Sequence, residues 1–317
     1  MRPRPIMKAS RLKPRACLGL LVAGFVLGSQ AQVPKRAARA AFPPRRASYL
    51  YTPPAGAHAD IGAWPGVAAL RPALNVHGNG YDYPVQFSDG THGATTFDDF
   101  GWWHRRDRIA VPNVGPGGGF HPSTGTDGHL VVINTVTRRA YEFWRLCANA
   151  AGAPVTCPGN RSPTSVGWIG TFSLDTSNGV PGGGTASGLS GLAGLILPGE
   201  IEHGIDHALS VIVPGAMNSP RLCSAAPASH TDGTAPGGVF CEGAKLRLDP
   251  SVQVDALPAT PAAKAILLAL QRFGGVITDQ SDCAHCLNFY TALDGPAPDL
   301  TGLAPALLPH LWIYDGR

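Results

Sequence analysis

From about Gly62 onward the apolar residues come in short runs broken by Gly, Pro, Asn and Asp, and few runs reach helical length. The clearest unit is a hairpin over 129–145. Leu130-Val131-Val132-Ile133 is rich in β-branched residues, 134–139 supplies the turn, and Ala140-Tyr141-Glu142-Phe143-Trp144 returns. Further strands are predicted over 166–174, 207–213 and 245–248. One helix is well specified, near 261–273. Thr260 is a good N-cap, Pro261 suits the first helical position, Ile266, Leu267, Leu270 and Phe273 recur on one face, and Gly274-Gly275 ends it. Val276-Ile277-Thr278 then reads as a strand and Asn288-Phe289-Tyr290-Thr291 as its hairpin partner, with Cys283-Ala284-His285-Cys286 at the tip. Many short strands with one late helix predict a mostly β fold, a β-sandwich or jelly-roll-like architecture. The absence of an internal repeat disfavours a propeller or solenoid.

The start of the chain follows a different pattern. Residues 1–15 carry Arg2, Arg4, Lys8, Arg11, Lys13 and Arg15 and no acid, an apolar run covers 16–28, and Ser29-Gln30-Ala31 follows. That order matches a cleaved secretory signal over 1–31, and the run is shorter than the roughly 20 residues a bilayer span requires. Residues 32–60, rich in Ala, Arg and Pro, read as a flexible arm. Residues 61–317 are then expected to form a single β-rich domain in an exported chain, secreted or periplasmic and not membrane-embedded.

Export changes what the charge means. The whole chain has 25 Lys and Arg against 21 Asp and Glu, but 11 of the bases lie before residue 47, leaving 14 against 21 in the remainder. The folded part therefore lacks the basic surface that nucleic-acid binding needs. Six of the seven cysteines lie beyond the leader, an even number that predicts disulfides in an oxidising compartment. Their grouping pairs Cys147 with Cys157, Cys223 with Cys241 and Cys283 with Cys286, local staples on insertions. No His follows Cys286, so c-type haem attachment is excluded. The glycine-rich stretches 115–119 and 179–191 lack the Gly-Lys-Ser/Thr of a P-loop, no G-x-S-x-G elbow is present, and no cofactor is expected.

Three clusters carry candidate chemistry. Asp127-Gly128-His129 enters the hairpin, where Asp and His two apart can share a face, and Glu142 returns on the partner strand. Glu200-Ile201-Glu202-His203-Gly204-Ile205-Asp206-His207 holds three carboxylates and two imidazoles, but it is not H-E-x-x-H. Trp64, Tyr81, Tyr83, Phe97, Phe100, Trp102, Trp103 and His104 collect aromatic rings near Asp82, Asp98 and Asp99. Such rings either fill the core or stack on sugars.

These residues also carry a resemblance. Asp127-x-His129 with Tyr141-Glu142 on the return is one shared element. Ala193-Gly194-Leu195, Pro198-Gly199, Glu200, Gly204-Ile205 and His207-Ala208-Leu209 form a second. Gly243 with Arg247-Leu248, Ala269-Leu270 with Phe273-Gly274, and Asp279 complete the pattern. Over roughly 120–290 the chain resembles a family of exported bacterial proteins with no assigned activity, and CAHC looks like an insertion in it. The resemblance implies a common fold. It raises Asp127, His129, Glu142, Glu200 and His207 above the other polar residues without assigning roles.

The expected function is carbohydrate chemistry: a polysaccharide-cleaving hydrolase or lyase using carboxylate and His acid–base groups. Glu200 would be the acid or base, Glu142 or Asp127 the second carboxylate, and His207 or His129 an orienter. A non-catalytic glycan-binding or cell-envelope protein is one alternative. A metal-dependent hydrolase at Glu200, His203 and His207 is another.

Overall fold

The computed structural model describes residues 53–76, 81–100, 107–175, 183–216, 228–235, 240–293 and 295–314. All lie in one of the two units into which the chain divides, Val33–Arg317. The signal and most of the arm expected over 1–60 therefore fall outside the described residues, as do Trp102, Trp103, His104 and Cys223.

In chain order the first elements are β1 (Ala59–Asp60), α1 (Pro65–Ala68), β2 (Arg71–Asn75), β3 (Val85–Ser88), β4 (Ala94–Asp99) and β5 (Arg108–Pro112). The expected hairpin follows as β6 (Leu130–Asn134) and β7 (Arg139–Trp144), then β8 (Cys147–Ala148), β9 (Pro154–Val155), β10 (Ser165–Val166) and β11 (Trp168–Ser173). The last third holds α2 (Glu200–His203), β12 (Leu209–Pro214), β13 (Lys245–Leu248), α3 (Pro261–Arg272), β14 (Gly275–Ser281), β15 (Cys286–Tyr290), α4 (Leu303–Leu307) and β16 (Leu311–Tyr314). The fold is mostly β, as the pattern predicts.

The strands form a seven-stranded sheet in the order β1-β16-β13-β14-β12-β15-β2, a four-stranded sheet β11-β7-β6-β3, a three-stranded sheet β10-β4-β5 and the small pair β8-β9. Alternation along each strand stacks these sheets in layers. Leu209, Val211 and Val213 of β12 pack with Ile266, Leu267 and Leu270 of α3 on one face of the large sheet. Ile212 and Tyr290 on its other face meet Val131, Ile133, Ala140 and Phe172 of the four-stranded sheet. Leu130, Val132 and Phe143, on the far side of that sheet, cover Phe97 and Val111 of the third. The order is helices, large sheet, four-stranded sheet, three-stranded sheet.

Helix α3 begins as its sequence dictates, with the Thr260 hydroxyl accepting from the Ala263 N–H. It ends at Gly274, whose φ of +81° suits a residue without a side chain.

The expected hairpin of β14 and β15 does not form. β12 lies between them, parallel to β14 and antiparallel to β15. A strand as apolar as β12 (LSVIVP), with five of its six residues buried, belongs in a sheet centre, and local spacing could not show that it inserts there. CAHC therefore joins two strands across a third, and its cysteines are bonded to each other, as are Cys147 and Cys157.

Candidate active-site cavity

A cavity of about 610 Å³ opens between the inner face of the large sheet and the end of the four-stranded sheet where β6 begins and β7 finishes. Its first wall is built by the segment entering β6. The Asp127 carbonyl accepts from Arg145 N–H at 2.6 Å and the Gly128 carbonyl from Leu146 N–H at 3.1 Å. This close approach needs glycine: a Cβ at 128 would sit 2.3 Å from the Leu146 oxygen, and φ there is +49°. The His129 N–H donates to the Ser123 hydroxyl at 2.9 Å.

On this wall Asp127 accepts from the Trp144 indole N–H at 3.3 Å, and its other oxygen lies 3.9 Å from His129 Nε2. The His129 ring is stacked on Tyr83 with centroids 4.1 Å apart and meets Tyr290 edge-on. Burial pushes the His129 pKa down to about 4 against the opposing pull of Asp127, so the imidazole is neutral near pH 7.

The second wall belongs to the large sheet. Asn288 and Tyr290 alternate onto the cavity side of β15, while Leu287 and Phe289 face the helices. β14 reaches the same side through a bulge: Val211 pairs with Ile277, but Ile212 pairs with Asp279, so Thr278 is the extra residue. Strict alternation from the core residue Ile277 would turn Asp279 toward the helices. The bulge shifts the phase by one and aims it into the cavity. There Asp279 accepts from the Tyr290 hydroxyl at 2.8 Å. Burial, followed by the charges of Asp232 and Asp127, holds the Asp279 carboxyl well above the usual range, and the Tyr290 bond opposes them only in part.

Loops close the remaining sides. Gly184, Thr185 and Ala186 contribute one edge, Asp232 another, and Gln280, Ser281, Asp282, Cys283 and Cys286 a third, with Tyr81, Trp144 and Trp168 as aromatic flanks. Behind Asp232 lies Glu242, only 1% exposed. Its carboxyl group meets that of Asp232 in a hydrogen bond that Glu242 makes by keeping its proton. Burial first, then the neighbouring Asp232 carboxyl and the charge of Asp279, push the Glu242 pKa up to about 11.

Of the five sequence-predicted site residues, Asp127 and His129 line this cavity. Glu142 shares their strand face but is fully buried, taking hydrogen bonds from the Ser190 hydroxyl and the N–H groups of Gly184, Gly191 and Leu192. It ties down the glycine-rich loop that forms the cavity edge. Glu200 and His207 do not line the cavity. They pair at 3.1 Å, and Glu200 also accepts from the Leu197 N–H. Burial works against the His207 charge, but the bond and charge of Glu200 outweigh it and raise its pKa.

The expected metal set of Glu200, His203 and His207 is not assembled. His207 spends one ring nitrogen on the Ala208 carbonyl and the other on Glu200, and His203 Nδ1 bonds the Gly199 carbonyl. Among the described residues no His, Cys, Asp or Glu trio is placed to hold a metal ion. The early aromatic cluster also divides: Tyr83 and Phe97 are core, Trp64 packs against the helical layer, and among its described members only Tyr81 lines the cavity.

The reading of the sequence missed Trp144, Trp168, Asp232, Glu242 and Tyr290 as site residues. Period-two alternation with Asn288 was the available signal for Tyr290, and Asp279 stood in the resemblance motif. Asp232 lies in no helix or strand and had no signal. Neither family models, curated proteins nor solved structures match this chain.

Proposed function

We propose that this chain is an exported glycan-cleaving enzyme, a hydrolase, working in the cavity between the two sheets. One observation carries the reading: Asp127 and Asp279, from facing walls, open into one cavity flanked by Trp144, Trp168 and Tyr81. Glycoside hydrolysis needs one carboxyl group that still holds its proton at working pH and a second that acts on the opposite side of the bond. Asp279, kept protonated by burial and by neighbouring charge, fits the acid that protonates the leaving oxygen. Asp127, oriented by the Trp144 N–H, fits the carboxylate that attacks the sugar or activates water. Neutral His129 beside it adds no positive charge that would compete for the carboxylate.

A lyase acting on uronic acids uses a group that neutralises the substrate carboxylate, and the described lining residues include no Lys or Arg. That favours hydrolysis. Two disulfides fit an oxidising compartment, and no helix among the described residues is long and apolar enough to cross a membrane.

The test is cleavage of a polysaccharide panel by the purified chain, following new reducing ends and unsaturated-product absorbance. Asp279→Asn and Asp127→Asn are each expected to lower kcat at least about 100-fold, with unfolding midpoints near that of the parent protein. Unsaturated products would turn the assignment to a lyase. Full activity in either variant would remove that residue from the mechanism, and binding without cleavage of any glycan would leave a recognition module.

A further inference from the structure

We infer that the cavity selects glycans bearing free, protonated amino groups, that is, amino-sugar polymers lacking N-acetyl groups. This rests on the reading of the cavity as a glycan site and adds the charge of its ligand. The described lining residues include Asp127, Asp232 and Asp282 beside the protonated Asp279, and no Lys or Arg. His129, the one imidazole among the described lining residues, is uncharged near neutrality because it is buried. Arg145, whose guanidinium lies 5.6 Å from the Trp144 ring centre, bonds the Pro158 carbonyl and does not line the cavity.

A second feature points the same way. Glu242 is almost completely buried, keeps its proton, and hydrogen-bonds Asp232 at the cavity edge from behind. That hydrogen bond favours the charged form of Asp232 against its burial, and a charged Asp232 at the cavity edge attracts a cation. Trp144, Trp168 and Tyr81 supply ring faces, which attract ammonium groups as well as sugar rings. A uronic acid would enter against carboxylates of like charge. A neutral sugar would gain hydrogen bonds but no Coulomb attraction. The ammonium of an amino sugar gains from both features, with Asp232 as its main contact.

The experiment measures binding of three oligosaccharides of equal length, composed of glucosamine, N-acetylglucosamine or galacturonic acid, at a pH where the amine is charged. The glucosamine oligomer is expected to bind at least about tenfold tighter than the N-acetylated one. Raising salt from about 10 to about 200 mM should weaken it several-fold. Asp232→Asn is expected to abolish most of this preference while N-acetylated binding is kept, and Asp282→Asn, on the neighbouring loop, should reduce it less. Equal or tighter binding of the neutral or anionic oligomer, or binding indifferent to salt, would overturn the inference. So would spermidine binding as tightly as the glucosamine oligomer, because the site would then be a general cation trap. The two readings fail separately: selective binding of glucosamine oligomers without cleavage sinks the hydrolase and keeps the selectivity, and cleavage without charge preference does the reverse.

Discussion

Glu142 and Glu242 are both buried carboxyls, yet their surroundings give them opposite parts. Glu142 collects four donors, one hydroxyl and three backbone N–H groups, and so joins β7 to the loop at the cavity edge. Removing it by Glu142→Ala leaves those donors without an acceptor and should cost at least about 3 kcal/mol in urea unfolding. Glu142→Gln keeps an acceptor and should cost less, with kcat within about tenfold of the parent. A loss of kcat as large as that of Asp279→Asn, in a folded Gln variant, would make Glu142 catalytic instead.

Glu242 has the opposite problem, a proton it holds in the folded chain up to about pH 11. The unfolded chain gives that proton up near the ordinary Glu value. Its contribution is therefore fully present below that value and is lost as pH rises, by about 1.4 kcal/mol per unit. Glu242→Gln removes this titration. The variant should gain on the parent between pH 5 and pH 9 in unfolding free energy, and parallel pH profiles for the two proteins would contradict the assignment.

At the scale of elements, two irregularities make the cavity. The bulge at Thr278 turns Asp279 inward, and the crossing of β12 between β14 and β15 carries the CAHC segment over the cavity rim. A bond between cysteines three apart closes a very short loop, and in the chain-entropy account it restrains the unfolded chain by about 2 kcal/mol at most. Replacing both Cys283 and Cys286 by Ser should thus lower stability modestly. Because both cysteines line the cavity beside Asp282, the same change should raise KM more than it lowers kcat. An unchanged KM would show that the rim does not meet substrate.

For the whole molecule, the cavity walls come from different sheets, one carrying Asp127 and His129 and the other Asp279 and Tyr290. A ligand touching both walls binds only the folded arrangement. Saturation at about 100 times Kd should therefore add about 2.7 kcal/mol to stability, seen as a raised Tm. The gain should vanish in Asp127→Asn if that wall is engaged, and a ligand that raises Tm equally in that variant binds elsewhere.

What could be read along the chain is what depends on near neighbours. Thr260, Pro261 and Gly274 mark the limits of α3, β-branched runs mark β6 and β12, and close cysteine spacing marks the pairs 147–157 and 283–286. Asp127 and His129 were legible for the same reason, since they sit at the mouth of a local hairpin. The order of strands in the large sheet was not legible, because hydrophobic alternation says that β12, β14 and β15 are buried but not which lies between which. Nor was the distinction between Glu142, satisfied by a loop some forty residues away, and Asp279, turned to the cavity by one extra residue. Composition made Glu200 and His207 look like a catalytic pair, and only packing showed them bonded to each other and to backbone. Local sequence sets backbone preference over a few residues. Which polar groups are left to face a cavity is decided by long-range contacts that satisfy all the others.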